Sequence, residues 1–238
     1  MKALILAGGL GTRLRDAVPD QPKPMAPAWG KPFLQYLVEW LGDQGFDDLV
    51  LCVGHGADQV RAHFGNGRRW DVHVAYAVEA SPLGTAGALK NAEEHVTGTT
   101  LVLNGDSYLE VDLRAMVAAH RARRVADDRA VGTLAAVRVE DSAAGGALEM
   151  DGAGWIGGFR EKGEAGPGWI NGGIYVLEPE VWEAIPEGRP VSIERETFPH
   201  LLTQGYHLYA YPVGGFFVDI GTPQGYRRFQ QYMEEKGP

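Results

Sequence analysis

The stretch Lys2–Leu14, KALILAGGLGTRL, decides the fold of this 238-residue chain. Its first part, Lys2–Ala7, is a short apolar run of the kind that forms a parallel strand buried on both faces. Glycines follow at once, at Gly8, Gly9 and Gly11. A buried strand that leads into a glycine-rich turn predicts the start of an open α/β sheet, in which ligands bind at the carboxyl ends of the strands.

The sequence that follows alternates strand-like and helix-like runs. Apolar runs typical of buried strands occur at 49–53, 72–78 and 100–103. Apolar residues at helical spacing lie between them, at 33–41, 58–64 and 85–95. Pro32 is expected at the first helical position of the earliest of these helices. The alternation predicts an α/β fold with a Rossmann-like, doubly wound, mostly parallel sheet.

Beyond residue 140 the pattern changes, because glycine pairs separate short strand-like pieces in the manner of hairpins. Helical sequence returns at 197–202 and 224–235, and strand-like runs lie at 207–211 and 216–220. We therefore expect a single domain, 1–238, that consists of a core over 1–140, a β-rich insertion over 141–177 and a return to the core over 178–238.

The composition excludes several classes of partner. Lys and Arg total 22 against 31 Asp and Glu, a formal net charge of −9 that argues against nucleic acid and against an anionic membrane surface. No stretch approaches the ~20 apolar residues that a membrane-spanning helix requires. Cys52 is the single cysteine, so an intrachain disulfide and a cysteine-based zinc site are both excluded. A reducing cytoplasm fits this composition best.

Positive charge is nevertheless concentrated near the glycine-rich turn. The first 31 residues contain five basic residues and two acidic ones. Three glycines allow a phosphate to approach the backbone amides, and Arg13 adds a forked donor. Lys23 stands between Pro22 and Pro24, on a backbone with little entropy left to lose. These residues predict a phosphate site.

Other interpretations of the same residues stay open. A dinucleotide-binding loop would need a third glycine where Leu14 stands, and a Walker loop would need a Gly-Lys-Ser/Thr end that is absent. A glycine-rich turn without a ligand and a rigid Pro-Lys-Pro surface turn are the alternatives without function.

The motifs together resemble the sugar-1-phosphate nucleotidyltransferase family, which carries a LAGGxGTRL loop followed by a PKP lysine. The resemblance continues in the family's order over nearly the whole chain, through Pro82–Gly87, Asn104–Asp106, Glu161–Lys162, Asn171–Tyr175, Ser192–Glu194 and Asp219–Pro223. It extends to the bacterial D-glycero-α-D-manno-heptose-1-phosphate guanylyltransferases, and so implies a role in nucleotide-sugar biosynthesis for lipopolysaccharide, S-layer or capsule. It also implies that 1–140 binds nucleotide and that 141–177 is a sugar-side insertion.

The resemblance implies a reaction and a set of site residues. A sugar 1-phosphate oxygen attacks the α-phosphorus of an NTP and expels pyrophosphate, with Mg²⁺ as cofactor and Asp106 and Asp219 as its ligands. Arg13 and Lys23 are the implied catalytic residues. The implied nucleotide-binding residues are Leu6, Ala7, Gly8, Gly9, Gly11, Thr12, Arg13, Lys23, Glu79, Pro82, Gly84, Thr85, Asn104, Gly105 and Asp106. The implied sugar-phosphate-binding residues are Glu161, Lys162, Asn171, Gly172 and Glu194.

The expected substrates are GTP and D-glycero-α-D-manno-heptose 1-phosphate. A carboxylate at Glu79 offers two acceptors to the N1–H and N2–H₂ donors of guanine, whereas adenine presents an acceptor at N1. Mannose-1-phosphate guanylyl transfer, N-acetylmuramate-1-phosphate uridylyl transfer and a non-catalytic sugar-nucleotide-binding subunit are the alternatives. The oligomeric state stays open, with a homodimer as one option.

Overall fold

The computed structural model describes residues 1–9, 22–142, 147–160 and 166–237. Within these ranges the strands are β1 Ala3–Leu6, β2 Pro27–Ala28, β3 Lys31–Pro32, β4 Asp48–Val53, β5 His73–Val78, β6 Thr100–Asn104, β7 Ser107–Leu109, β8 Ala130–Val139, β9 Ala147–Met150, β10 Ile156–Arg160, β11 Gly168–Leu177, β12 His207–Val213 and β13 Phe217–Asp219. The helices are α1 Phe33–Asp43, α2 Ala57–Phe64, α3 Gly84–Asn91, α4 Leu113–Ala126, α5 Glu180–Glu183, α6 Phe198–Thr203 and α7 Pro223–Lys236. Shorter turns of helix are 3₁₀ at Lys23–Met25, Arg68–Trp70 and Glu93–His95, and π-helical at Ile193–Thr197.

The four strands that the apolar runs predicted form a parallel sheet in the order β5–β4–β1–β6. Side chains of β1 alternate between the two faces of this sheet: Ala3 and Ile5 belong to one apolar cluster, with residues of α1, α4 and α7. Leu4 belongs to the other cluster, with residues of α3, α5 and α6. Helices therefore cover both faces, and the predicted doubly wound α/β fold is confirmed.

Beyond β6 the sheet departs from the parallel arrangement. β11 runs antiparallel to both β6 and β8, and β12 then adds parallel to β8. β9 and β10 form an antiparallel pair that joins the sheet where β9 meets β11 at Ala147 and Ile170. The predicted insertion over 141–177 thus contributes β9, β10 and β11 to the same sheet. Sequence reasoning missed β7, α4 and β8.

Two local predictions need correction. Pro32 precedes the helix instead of opening it: it is the N-cap of α1, and it pairs with Pro27 in the short β2–β3 ladder. The helix expected over 85–95 ends at Asn91 and is followed by a separate 3₁₀ turn. The amide of Ala92 is shared between the carbonyls of Ala88 and Leu89, which tightens the last turn of α3.

The carboxyl ends of β1, β4, β5 and β6 lie at one edge of the sheet, because parallel strands point the same way. The two-stranded ladder of β7 and β13 begins directly after β6. None of the helices in the described ranges combines the length and hydropathy that crossing a bilayer requires.

Candidate active site

A cleft of about 330 Å³ opens where β1, β5 and β6 end. The residues that line it are Leu6, Ala7, Gly8, Gly9, Lys23, Pro24, Glu79, Pro82, Gly84, Thr85, Ala88, Asn104 and Asp106. Every predicted nucleotide-binding residue that the structure describes is among them except Gly105, and Pro24 and Ala88 are additions that sequence reasoning missed. Gly11, Thr12 and Arg13, with Glu161 and Lys162 of the predicted sugar side, lie outside the described residues.

Gly105 lies behind the cleft and holds two strands together. Its amide donates to the Leu6 carbonyl over 2.9 Å, and a Cβ at this position would come within 2.7 Å of the same oxygen. The glycine therefore allows the turn after β6 to pack against the end of β1, which places Asp106 beside the residues that follow β1.

The Glu79 carboxylate lies against the glycine-rich turn. A Cβ on Gly8 would overlap Glu79 Oε1, so glycine at this position makes room for the carboxylate. The amide of Leu83 donates to Oε2 over 2.7 Å. Burial raises the pKa of Glu79, and the hydrogen bond from Leu83 opposes that shift. The carboxylate is thus held at the cleft wall, with Oε1 facing the turn after β1.

The start of α3 connects the cleft to the π-helical turn at Ile193–Thr197. Gly84 has φ +71°, and a Cβ there would come within 2.6 Å of the Val191 carbonyl oxygen. The hydroxyl of Thr85 accepts a hydrogen bond from the Ile193 amide over 2.8 Å. Thr85 therefore lines the cleft and also holds the turn that carries Glu194 against the start of α3.

Lys23 is presented by a rigid turn. Pro22 precedes the 3₁₀ turn and Pro24 lies within it, and the amide of Met25 closes it on the Pro22 carbonyl over 2.8 Å. The Pro22 ring packs on Gly56, where a Cβ would come within 2.5 Å of its Cγ. Because the backbone is fixed on both sides, the lysine side chain reaches the cleft from one defined position.

Asp106 and Asp219 come together through the pairing of β7 with β13. Ser107 pairs with Asp219 in this ladder, and the amide of Ile220 donates to the Asp106 carbonyl over 2.9 Å. The amide of Gly221 donates to Asp219 Oδ1 over 2.5 Å and orients that carboxylate. The side chains of Asp106 and Asp219 are 38% and 46% exposed, so both carboxylates remain accessible to solvent.

The ammonium group of Lys23 lies between these two carboxylates. Its Nζ donates to Asp106 Oδ2 over 2.5 Å and lies 3.8 Å from Asp219 Oδ1. The lysine side chain is only 9% exposed. The structure therefore joins one cation and two anions that are far apart in the sequence at a single edge of the cleft.

The carboxylate pair fits the predicted Mg²⁺. Among the described residues no group of three or more His, Cys, Asp or Glu could hold a metal ion. A cation held by Asp106 and Asp219 would therefore take its other ligands from water and from a phosphate-bearing substrate. Mg²⁺ in phosphoryl-transfer sites is bound in this way, through one or two carboxylates and substrate phosphates.

On the predicted sugar side, Asn171 and Glu194 are in direct contact. Asn171 Nδ2 donates to Glu194 Oε1 over 2.5 Å. The register of β11 against β8 shifts between Asn171 and Tyr175, and Gly173 within this bulge has φ +75°. A β-bulge redirects the side chains of its strand. Gly172 occupies the same bulge, and a Cβ there would come within 2.8 Å of the Leu109 side chain.

Tyr175 connects these residues, and sequence reasoning did not single it out. Its hydroxyl accepts from Asn171 Nδ2 over 2.7 Å, donates to Glu194 Oε1 over 3.5 Å, and is also hydrogen-bonded to Asn104. The ring is fully buried, and this burial, followed by the charge of Glu194, raises the pKa of Tyr175 well above its usual value. The even spacing of Asn171 and Tyr175 along a strand was the one signal in the sequence that could have linked them.

Asn104 lies where the cleft meets this network. Its Oδ1 is buried and has no hydrogen-bond partner among the described residues, although most buried polar atoms have one. Asn104 also lines the cleft. Asn104 thus connects the predicted nucleotide side to the predicted sugar side.

Known proteins resemble this chain along nearly its whole length. The model of the family described as "Nucleotidyl transferase" matches residues 2–236. Mannose-1-phosphate guanylyltransferase of Mycobacterium tuberculosis is 38% identical over 229 residues, which are 95% of this chain and 62% of that relative. The chain therefore spans less than two thirds of the mycobacterial relative.

Two further proteins match along nearly their full length. D-glycero-α-D-manno-heptose 1-phosphate guanylyltransferase of Aneurinibacillus thermoaerophilus is 35% identical over 235 residues, 98% of this chain and 99% of the relative. The crystal structure of HddC from Yersinia pseudotuberculosis complexed with GMP-PN is 33% identical, with a TM-score of 0.83 over 97% of this chain and 98% of that one. With the family match from residue 2 to residue 236, these likenesses establish that the chain belongs to the nucleotidyl transferase family.

Proposed function

We propose that the chain is a Mg²⁺-dependent sugar-1-phosphate guanylyltransferase that transfers GMP from GTP to D-glycero-α-D-manno-heptose 1-phosphate. One observation carries the proposal: Lys23, Asp106 and Asp219 meet at the edge of the cleft that Gly8, Gly9 and Glu79 line. A cation, a carboxylate pair and a glycine-rich turn beside one another suit the transfer of a group between two phosphates.

The proposed reaction needs no nucleophile from the protein. An oxygen of the sugar phosphate attacks the α-phosphorus of GTP, the bond from that phosphorus to the bridging oxygen of the β-phosphate breaks, and pyrophosphate leaves with the electron pair. The chain aligns two anions that repel each other and stabilises the charge that develops on the leaving group. Mg²⁺ held by Asp106 and Asp219 supplies further charge neutralisation on the phosphate oxygens. Lys23 binds the phosphates, and we assign Arg13 to the same work by the family resemblance.

Guanine selection is assigned to Glu79. The carboxylate lines the cleft, with Oε2 oriented by the Leu83 amide and Oε1 at the glycine-rich turn. Each carboxylate oxygen has two lone pairs, so the bond from Leu83 leaves acceptor capacity for the two donors on the pairing edge of guanine. The names of the relatives from Mycobacterium and Aneurinibacillus, both guanylyltransferases, support the same choice of base.

Sugar selection is assigned to Asn171 and Glu194, whose contact fixes the orientation of both side chains. Heptose is proposed because the Aneurinibacillus relative, named for heptose 1-phosphate, matches this chain over 99% of its own length. Mannose 1-phosphate is the second candidate, since the mycobacterial relative carries that name.

Pyrophosphate release from the purified chain tests the proposal. The assay combines GTP, ATP, UTP or CTP with heptose, mannose or N-acetylmuramic acid 1-phosphate, with MgCl₂ or with EDTA. We expect release only with MgCl₂, with GTP preferred over UTP and the heptose phosphate preferred over the mannose phosphate. Equal use of UTP and GTP would refute the guanine assignment.

Two sets of variants test the assigned residues. Asp106→Asn and Asp219→Asn should each lower kcat by about a hundredfold or more, because a charged ligand becomes neutral. If both variants keep full activity, the metal assignment is wrong. Tight binding of GDP-sugar without any pyrophosphate release would identify a binding subunit instead of an enzyme.

A further inference from the structure

The ammonium group of Lys23 lies between the two carboxylates that a divalent cation would need as ligands. It lies 2.5 Å from Asp106 Oδ2 and 3.8 Å from Asp219 Oδ1, and the lysine side chain is 9% exposed. Gly221 closes the far side: a Cβ there would come within 2.5 Å of the lysine Nζ and 2.7 Å of Asp219 Oδ1. The ammonium therefore occupies a narrow space between the two carboxylates and the backbone at Gly221.

One oxygen of each carboxylate is already engaged by a donor of this chain. Asp106 Oδ2 accepts from Lys23, and Asp219 Oδ1 accepts from the Gly221 amide while facing the same ammonium. A divalent cation bound by both carboxylates would lie a few ångströms from this positive charge. Like charges at such a distance repel strongly where the surroundings are partly buried. Lysine and cation therefore oppose each other at the same pair of carboxylates.

The cleft offers the ammonium a second partner. Lys23 lines the cleft together with Gly8 and Gly9, the described part of the glycine-rich turn. The phosphates of a nucleotide bound there would attract the ammonium away from Asp106. A lysine stem has four rotatable bonds, so this exchange of partners requires no movement of the rigid turn at Pro22–Pro24.

We propose that Lys23 couples nucleotide binding to metal binding: its ammonium competes with the divalent cation for Asp106 and Asp219, and the nucleotide phosphates, by binding the ammonium, release both carboxylates to the cation. The proposal rests on the proposed function in one respect, namely that the ligand of the cleft carries phosphates. It assigns to Lys23 a positioning role besides its contact with phosphate.

The test measures binding, not turnover. Mn²⁺ is titrated into the full chain without nucleotide and followed by electron paramagnetic resonance of the free ion. We expect Lys23→Met to bind Mn²⁺ at least about tenfold more tightly than the wild type does, which is a usual size for the coupling between two ligands. Lys31→Met is the matched control, because it removes the same charge from a lysine that pairs with Glu39, and it should leave the affinity for Mn²⁺ unchanged.

A second titration measures nucleotide binding in EDTA, with guanosine 5′-(α,β-methylene)triphosphate as the probe. Lys23→Met should bind this analogue at least about tenfold more weakly than Lys31→Met, so that one substitution shifts the two affinities in opposite directions. A merely structural lysine would weaken both affinities, and a lysine that orients the carboxylates for the metal would weaken the affinity for Mn²⁺. Either result overturns the proposal.

Two further variants locate the effect. Asp219→Asn added to Lys23→Met should abolish the gain in Mn²⁺ affinity, and persistence of the gain would place the ion elsewhere and overturn the proposal. Lys23→Gln, neutral and similar in length, repeats the measurement if thermal unfolding shows that Lys23→Met is not folded. The Mn²⁺ titration contains neither GTP nor sugar, so a failed coupling is distinguishable from a failed guanylyltransferase assignment, which the pyrophosphate assay decides.

Discussion

Replacing Tyr175 with phenylalanine tests whether the buried hydrogen-bond network holds the predicted sugar side in place. The substitution removes one oxygen from a fully buried ring and leaves the packing of that ring in the core. Three side chains lose a partner: Asn171, Glu194 and Asn104. Asn171 and Glu194 keep their mutual bond of 2.5 Å, so most of the cost falls on Asn104, whose Oδ1 already has no partner among the described residues.

The expected loss of stability follows from these contacts. A hydrogen bond contributes about 0.5–1.5 kcal/mol net, and a buried polar group left without a partner costs about 1–3 kcal/mol. Tyr175→Phe removes the hydrogen bonds of the hydroxyl to Asn171 and Asn104 and a long one to Glu194. Together these losses should lower the free energy of unfolding by about 2 kcal/mol. For a chain of this size such a loss lowers Tm by about 4–8 °C.

Two assays check this prediction. Urea unfolding should show the loss of about 2 kcal/mol in the free energy of unfolding, with an unchanged m-value. Steady-state kinetics should show a KM for the sugar phosphate about tenfold higher, since Glu194 loses a hydrogen bond that orients it, while the KM for GTP stays within about twofold. Tyr211→Phe is the matched control, because Tyr211 is a partly buried tyrosine of β12 in another cleft of the described structure.

The proposed role of the network is refuted if Tyr175→Phe and Tyr211→Phe are equally stable within about 0.5 kcal/mol, the usual range for a surface substitution that breaks no specific interaction. It also fails if both substrates lose affinity equally, because the network touches the sugar side directly and the base site only through Asn104.

Three further predictions follow from contacts of the described residues. Gly8→Ala should raise the KM for GTP about tenfold or more, because the added Cβ would overlap Glu79 Oε1, whereas Gly214→Ala, which meets no atom within 4 Å, should leave it unchanged. Burial raises the pKa of Glu79, and protonation removes an acceptor that guanine needs. The kcat/KM for GTP should therefore fall with decreasing pH, starting at a higher pH than the pKa of an exposed glutamate would give, and the pH–rate profile of Glu79→Gln should lack this limb. His120→Leu should lower the free energy of unfolding in urea by about 3 kcal/mol, because it removes the hydrogen bonds of the buried ring to Glu178 at Nε2 and to the Thr133 hydroxyl at Nδ1. A loss under about 1 kcal/mol would refute this account.

Sequence reasoning was most successful where structure depends on local pattern. The apolar runs predicted β1, β4, β5 and β6 to within one residue at each end, because a strand buried on both faces has to be continuously apolar. It was least successful after β6. The antiparallel β11 and β8 depend on pairings between distant segments, and nothing in the local sequence of β8 distinguishes a parallel from an antiparallel neighbour.

The same division applies to the site. The family resemblance implied Gly8, Glu79, Asn104 and Asp106 as site residues. The structure brings them to one cleft, because each lies at or just after the carboxyl end of a strand at the same edge of the sheet. Their proposed contacts with nucleotide and metal stay predictions. Tyr175 belongs to one of the family motifs but was not predicted as a site residue, because its contacts with Glu194 and Asn104 join segments that are distant in the sequence.

By itself, then, the sequence determined the parallel core of the sheet and the sheet edge at which we expect a ligand, because apolar periodicity and glycine-rich turns act over a few residues. Only the tertiary structure decided that Lys23 would lie between Asp106 and Asp219, which stand 83 and 196 positions further along the chain. That contact depends on the pairing of β7 with β13 and on a glycine at position 221 too small to fill the space. Long-range pairing and the room beside a missing Cβ are properties of the folded chain, and the competition proposed for Lys23 exists only there.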